Sequence, residues 1–267
     1  MGRLMAARLE ESCELRSFDL NGRGSCKSAR EAAWGADAMI TMLPDGDAVR
    51  EAVLDALPSL RPGAVVIDMS SSEPAGSRAL GVALAKNRVH MVDAPVSGAR
   101  FKAKDGTLAI MAGGDRKVFR KVLPLLQKMG SEIFHCGPLG AGHAVKALNN
   151  YLGAAGTLAG FEALLIARKF GLDPKPMIAA INASTGRNST TVRKIPQDVL
   201  TGAFASGFRL SLMSKDVAIA AGLARGLRVN APFLKETLRH WKAAQKAMPR
   251  NADHTEIYKY QKKLTRR

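Results

Sequence analysis

"GPLGAGHAVKALNN", residues 137–150, decides how this chain divides. Before it, short apolar runs alternate with helical ones; after it, only helical patterns remain. Two glycines and an alanine lead into a helix whose first turns carry His143, Lys146, Asn149 and Asn150. A helix places residues three and four apart on one face, so His143, Lys146 and Asn150 share a stripe, with Asn149 beside it. A purely structural segment would put Leu or Ile there. From Ala141 to Phe170 the chain has no proline and reads as one helix of ~30 residues, ~45 Å long. It stops at "GLDP", a glycine end followed by a proline start for the next helix.

Working outward toward the N-terminus, residues 1–12 read as a helix and "ELRSFDLN" (14–21) as a short strand ending at Asp19. The helical "KSAREAAWGA" leads into the buried strand of "DAMITMLPDG", which stops at Pro44. A helix through "DAVREAVLDAL", the strand in "GAVVIDMSSS" (63–72) and a helix over 74–86 follow. Then come the strand "HMVDAPVSG" (90–98), "TLAIMAGG" (107–114), a helix over 115–129 and the strand "EIFHCG" (132–137). Strands alternating with helices of 10–15 residues predict a largely parallel, doubly wound sheet. Beyond Gly137 the helices break at "STGRNS", "SGF" and "NAPF". The fold expected is an α/β domain over 1–137, then an all-α domain over 138–267 with a long helix between them.

With 267 residues, 46% of them hydrophobic, the chain can bury a sizeable core. Lys plus Arg is 40 against 23 for Asp plus Glu, a formal charge of +17, which favours anionic partners. The cations are scattered, however, and aromatics are only 5%, so base-stacking platforms are scarce and nucleic acid is not expected as the main partner. Cys13, Cys26 and Cys136 have unsuitable spacings for a metal site or a disulfide framework. No apolar run reaches the ~20 residues of a membrane span, and no signal-peptide pattern opens the chain, so a soluble cytoplasmic protein is expected.

Ligands of open α/β sheets sit beyond the carboxyl ends of the strands. Those ends are Asp19, "LPDG" (43–46), "SSS" (70–72) and "PVSG" (95–98), all small, polar or glycine-rich. Together with the polar helix they form a pattern. "MLPDGDAVREAVL", "GAVVIDMSSSEP", "DAPVSGARFKAKDGTLAIMAGG", "GPLGAGHAVKALNN", "INASTGRNSTTVRKIPQ" and "FRLSLMSKDVAIA" resemble, in order and spacing, the β-hydroxyacid dehydrogenases. That family includes 3-hydroxyisobutyrate dehydrogenase and tartronate semialdehyde reductase, and the likeness runs from Met1 to about Ile257.

The resemblance implies roles. Lys146, in the spacing Gly142–Lys146–Asn150, is the catalytic acid–base, and Asn150 bonds substrate or holds the ammonium. A lysine on an apolar helix facing a closed cleft is desolvated, which draws its pKa toward the working pH. Ser97 and Gly98 bind the substrate carboxylate. Leu43, Pro44, Ser71 and Lys215 contact the dinucleotide, and His143 is a helix-start residue where the family commonly has Gln. Asn149 reads as bonding backbone, and Lys215 with Asp216 reads, on pattern alone, as an exposed charge pair.

Family members open with a strand and G-x-G-x-x-G; this sequence opens at "MG", so Gly2 corresponds to the third glycine and would meet the pyrophosphate at a helix N-terminus. The resemblance thus makes the α/β domain an incomplete Rossmann-type one, expected to lack the first strand and two of the glycines and so to bind dinucleotide weakly. Asp19 would take the ribose 2′-hydroxyl of NAD, while Arg23 keeps NADP open. The implied function is hydride transfer between a nicotinamide cofactor and a small β-hydroxy acid or semialdehyde acid, in a homo-oligomer built through the helical domain. The alternative is a catalytically impaired paralogue that binds a partner.

Overall fold

A computed structural model describes residues 1–265 of the chain. It divides into two compact units, Met1–Lys146 and Ala147–Arg267. The first contains α1 (Gly2–Ala6), α2 (Ala29–Ala33), β1 (Ala38–Thr41), α3 (Gly46–Ala56), β2 (Val65–Asp68), α4 (Pro74–Ala85), β3 (His90–Asp93), β4 (Val96–Ser97), α5 (Ala99–Asp105), β5 (Leu108–Gly113), α6 (Arg116–Met129) and β6 (Gly130–Gly137). The long α7 (Ala141–Phe170) starts there and continues into the second unit. That unit adds α8 (Pro174–Asn182), a π-helical segment (Thr190–Val199), α9 (Leu210–Gly226), α10 (Pro232–Ala247) and α11 (Ile257–Leu264).

In the sheet, β1, β2 and β3 run parallel, as do β5 and β6, while β5 is antiparallel to β3 and to β4. Every residue of β2, Val-Val-Ile-Asp, is buried, because apolar residues cover both faces. Val65 and Ile67 join one core cluster with Leu108, Ile110 and Leu126; Val66 joins another with Val53, Leu80 and Leu84. That alternation is the period-two geometry of a strand. Side-chain caps start the surrounding helices: Asp45 accepts the amide of Ala48 at 2.9 Å, and Asp115 accepts those of Lys117 and Val118 at 2.8 and 3.1 Å. The second unit packs around Trp241, Phe161, Leu164, Ile195 and Ile257.

Three sequence expectations are corrected here. The strand ending at Asp19 does not form: residues 14–19 are irregular, and Ser17 bonds instead to Ser25 and Cys26. Among the described residues β1 is an edge of the sheet, so the 14–19 segment has no ladder to join. The helix over 1–12 is confined to Gly2–Ala6, with turns through Ser12. The run 90–98 breaks into β3 and β4 around Pro95, which has no amide to give the ladder; β4 and β5 return antiparallel, while the longer pairings of β1 with β2, β2 with β3 and β5 with β6 keep the sheet largely parallel, as expected.

Candidate active site

Register builds the site. Thr41, Asp68 and Asp93 end three neighbouring parallel strands and lie side by side, with Gly113 next across the antiparallel pairing. Two adjacent buried aspartates are costly unless their oxygens are bonded. Asp68 accepts the Thr41 hydroxyl and the Ser70 amide on one oxygen, both at 2.9 Å, and the Ser72 hydroxyl on the other at 2.8 Å. Asp93 accepts the amides of Gly140 and His143, each at 2.7 Å, and so ties down the first turn of α7. Burial nevertheless raises the Asp93 carboxyl above the ordinary carboxylate range.

These bonds fix the turns where the dinucleotide residues were expected. Ser70 Oγ accepts the Leu43 amide at 2.9 Å, which joins the β1 and β2 turns. A side chain on Gly46 would sit 2.7 Å from the Glu73 carboxylate, so these two turns pack tightly together. Leu43 and Ser71 are half-buried and Pro44 is exposed. Leu43, Pro44 and the Ser71 hydroxyl, on two turns joined by the Ser70–Leu43 bond, are chemically compatible with the face of a nicotinamide ring and its ribose. Gly2 opens α1, a helix of only five residues, and Asp19 sits in an exposed loop where it accepts the Asn21 amide at 2.8 Å. That bond holds the Asp19 carboxyl below its usual range.

Ser97 and Gly98 lie where β4 turns into α5, both half-buried. Gly98 has φ +136°, and a Cβ there would meet Lys102 at 2.6 Å; glycine is required on both counts. Ala99 follows at φ +59°, a left-handed conformation that costs an alanine ~1 kcal/mol.

On α7 the polar stripe is the hidden face. His143 and Asn150 are buried and Lys146 is half-buried, whereas Val145, Leu148 and Leu152 are exposed. Gly142 is needed for the close approach to the sheet, since a Cβ there would fall 2.1 Å from the Met111 carbonyl oxygen. Asn149, expected to bond backbone, instead donates its side-chain amide to Asn150 Oδ1 at 3.0 Å. In the second unit the Asn150 amide donates to Asp216 on α9 at 2.5 Å, and Lys215 Nζ stands 3.6 Å from the same carboxylate. The Lys215–Asp216 pair is therefore not the exposed pair expected: the Lys215 side chain is 25% exposed and that of Asp216 only 4%. Asp216 thus links two residues singled out from the sequence.

Asp68, Asp93 and Ser77 were not picked out from the sequence. The available signal was an aspartate closing each of two apolar runs, "VVID" and "HMVD".

A Rossmann-type sheet with a polar carboxyl edge thus leads, through a lysine-bearing helix, into a helical second unit. Residues 1–137 match the family described as the NAD binding domain of 6-phosphogluconate dehydrogenase, and 140–261 match the NAD-binding domain of NADP-dependent 3-hydroxyisobutyrate dehydrogenase. The chain belongs to the β-hydroxyacid dehydrogenase family. It is 35% identical over 248 residues to 2-(hydroxymethyl)glutarate dehydrogenase of Eubacterium barkeri, covering 87% of this chain and 81% of that one. It is 36% identical over 221 residues to the NAD-dependent L-serine dehydrogenase of Pseudomonas aeruginosa, covering 79% and 74%. The structure of Mycobacterium tuberculosis 3-hydroxyisobutyrate dehydrogenase with L-serine superposes with a TM-score of 0.89 at 31% identity, over 97% of this chain and 95% of that one. The chain is accordingly an oxidoreductase of hydroxy acids with NAD as cofactor, in a family that also has NADP-dependent members. No helix among the described residues is long and apolar enough to cross a membrane.

Proposed function

We propose that the protein interconverts a small β-hydroxy acid and its semialdehyde, with Lys146 as the acid–base. The observation that carries this reading is the inverted α7, which turns His143 and Asn150 inward and keeps Lys146 half-buried while leaving leucines outside. The bound nicotinamide supplies or accepts the hydride. Lys146 Nζ takes the hydroxyl proton as the acid is oxidised and returns it to the carbonyl oxygen in reduction. Ser97 and the backbone at Gly98 hold the substrate carboxylate, while Asn150, oriented by Asp216, steadies the reacting end. Leu43, Pro44, Ser71 and Lys215 face the dinucleotide, and Gly2 and Asp19 serve its pyrophosphate and ribose.

Also part of the proposal are a division at residue 137 into a dinucleotide-binding and a substrate domain, a homo-oligomer built through the helical domain, and a cytoplasmic location. The exposed Val145, Leu148 and Leu152 support the oligomer. The test is NAD-linked oxidation of a panel of small hydroxy acids and their methyl esters at saturating NAD. Turnover of β-hydroxy acids well above α-hydroxy acids and esters is expected; turnover of none, or no preference for the carboxylate, would overturn the reading.

A further inference from the structure

His143 is 1% exposed and sits where three elements of the first unit converge. Its Nδ1 lies 2.8 Å from the Ser77 hydroxyl on α4. Its Nε2 lies 3.5 Å from Asp68 Oδ2, at the end of β2, and makes no hydrogen bond among the described residues. Its backbone amide is bonded to Asp93, at the end of β3. The charged groups facing the ring are thus the two carboxylates, Asp68 and Asp93, the latter 3.7 Å from Nδ1.

Hydrogen-bond bookkeeping narrows the proton positions. All three bonds to Asp68 come from donors, Thr41, Ser70 and Ser72, so its oxygens present only lone pairs to the imidazole. A bare Nε2 would put lone pair against lone pair in a buried site, which is repulsive and leaves both groups unsatisfied. With a proton on Nε2, the Asp68 carboxylate 3.5 Å away becomes an attractive electrostatic neighbour instead of a repulsive one. Nδ1 then accepts the Ser77 hydroxyl proton, or, in the imidazolium, donates to Ser77, whose own proton turns to the Glu73 carbonyl at 3.3 Å. Either way the Nε2 proton remains.

We infer that His143 carries its proton on Nε2 and is a positioning residue, clamping the start of α7 to β2, β3 and α4 so that Lys146 is set at the reacting atoms. Lys146 follows three residues later on the same side of the helix. The inference rests on the reading of Lys146 as the acid–base. Displacement of a reacting group by about 1 Å can cost ~100-fold in rate, so loss of the clamp acts on kcat. Glutamine can present the same two groups, an amide N–H toward Asp68 and a carbonyl to Ser77; leucine fills the space and presents neither.

Two measurements test it. In protein labelled with [15N]histidine, assigned by comparison with His143→Gln, the Nε2 of His143 should show the protonated, pyrrole-type signal. An unprotonated, pyridine-type Nε2 would overturn the inference whatever the enzyme's activity. In steady-state kinetics, His143→Leu should lower kcat ~10–100-fold with KM changed less than about threefold, and His143→Gln should restore kcat to within about threefold of the native value. Should His143→Leu fail to fold, Ser77→Ala, which removes one bond, should show the same kcat-only loss at smaller size. Unchanged kcat in the folded leucine variant, or in Ser77→Ala where leucine does not fold, would refute the positioning role. A Lys146→Ala variant with native turnover would instead refute the acid–base reading, leaving the Nε2 proton assignment standing.

Discussion

Two glycines on α7 make opposite predictions for the same substitution. At Gly142 a methyl group would stand 2.1 Å from the Met111 carbonyl oxygen, 2.9 Å from Asp93 Oδ2 and 3.0 Å from the Asp93 carbonyl oxygen. Two of these neighbours are sheet backbone, which cannot swing aside. Restoring a tolerable 3.0 Å contact requires the start of α7 to retreat by almost 1 Å. Overpacking of this kind costs ~1–3 kcal/mol, and the rigid neighbours place Gly142→Ala at the upper end. At Gly153, three turns along, nothing lies within 4 Å of the added carbon, so the helix preference of alanine acts alone and contributes ~1 kcal/mol of stability. By thermal unfolding, Gly142→Ala should lower Tm by roughly 6–10 °C and Gly153→Ala should raise it by about 2–4 °C. Gly142→Ala should also reduce kcat at least ~10-fold, because Lys146 retreats with the helix. If both variants shift Tm in the same direction, the close seating of α7 on the sheet edge is wrong.

Ser97→Ala should cost ~1.5–3 kcal/mol in kcat/KM on the acid and much less on its methyl ester; equal losses would exclude a carboxylate contact. Lys194, 6% exposed, donates to the hydroxyls of Thr157 and Thr190 at 2.6 and 3.4 Å, and burial lowers its pKa to about 8 from 10.5. The penalty on its charged form is complete below pH 8 and is relieved as pH rises toward 10.5, a difference of about 3 kcal/mol. Urea unfolding should therefore find Lys194→Met more stable than the native chain at pH 7, with the gap closing by pH 10; a gap independent of pH would contradict this. His254, buried against Trp241 and Phe208, has its pKa lowered by burial to about 4 from 6.5. Its contribution is intact above pH 6.5 and is lost as pH falls toward 4, so His254→Gln should flatten the acid limb of the stability curve.

The division of the chain was legible because its signals are local. Proline-free sequence from Ala141 to Phe170 and the glycine at 171 bound α7, and unbroken apolar runs mark β2 and β5. The segment 14–19 has the composition of a strand, but a strand forms only against a partner, and that is a property of the whole sheet. The break at Pro95 and the reversal into β4 were hidden within a continuous apolar pattern. At the site, residue types and spacing pointed to Lys146, Asn150 and Ser97. The bonds of Asp68, Asp93 and Asp216 depend on strand register and helix packing, which no single window of sequence carries.

The central claim is that Lys146 moves the proton in a nicotinamide-linked oxidation of a hydroxy acid. It is tested most directly by kcat for Lys146→Ala beside the native chain, at saturating NAD and substrate, with circular dichroism to show that both are folded. A fall of ~10²–10⁴-fold, the usual worth of a positioned acid–base, is predicted. Turnover within a few-fold of native would contradict it.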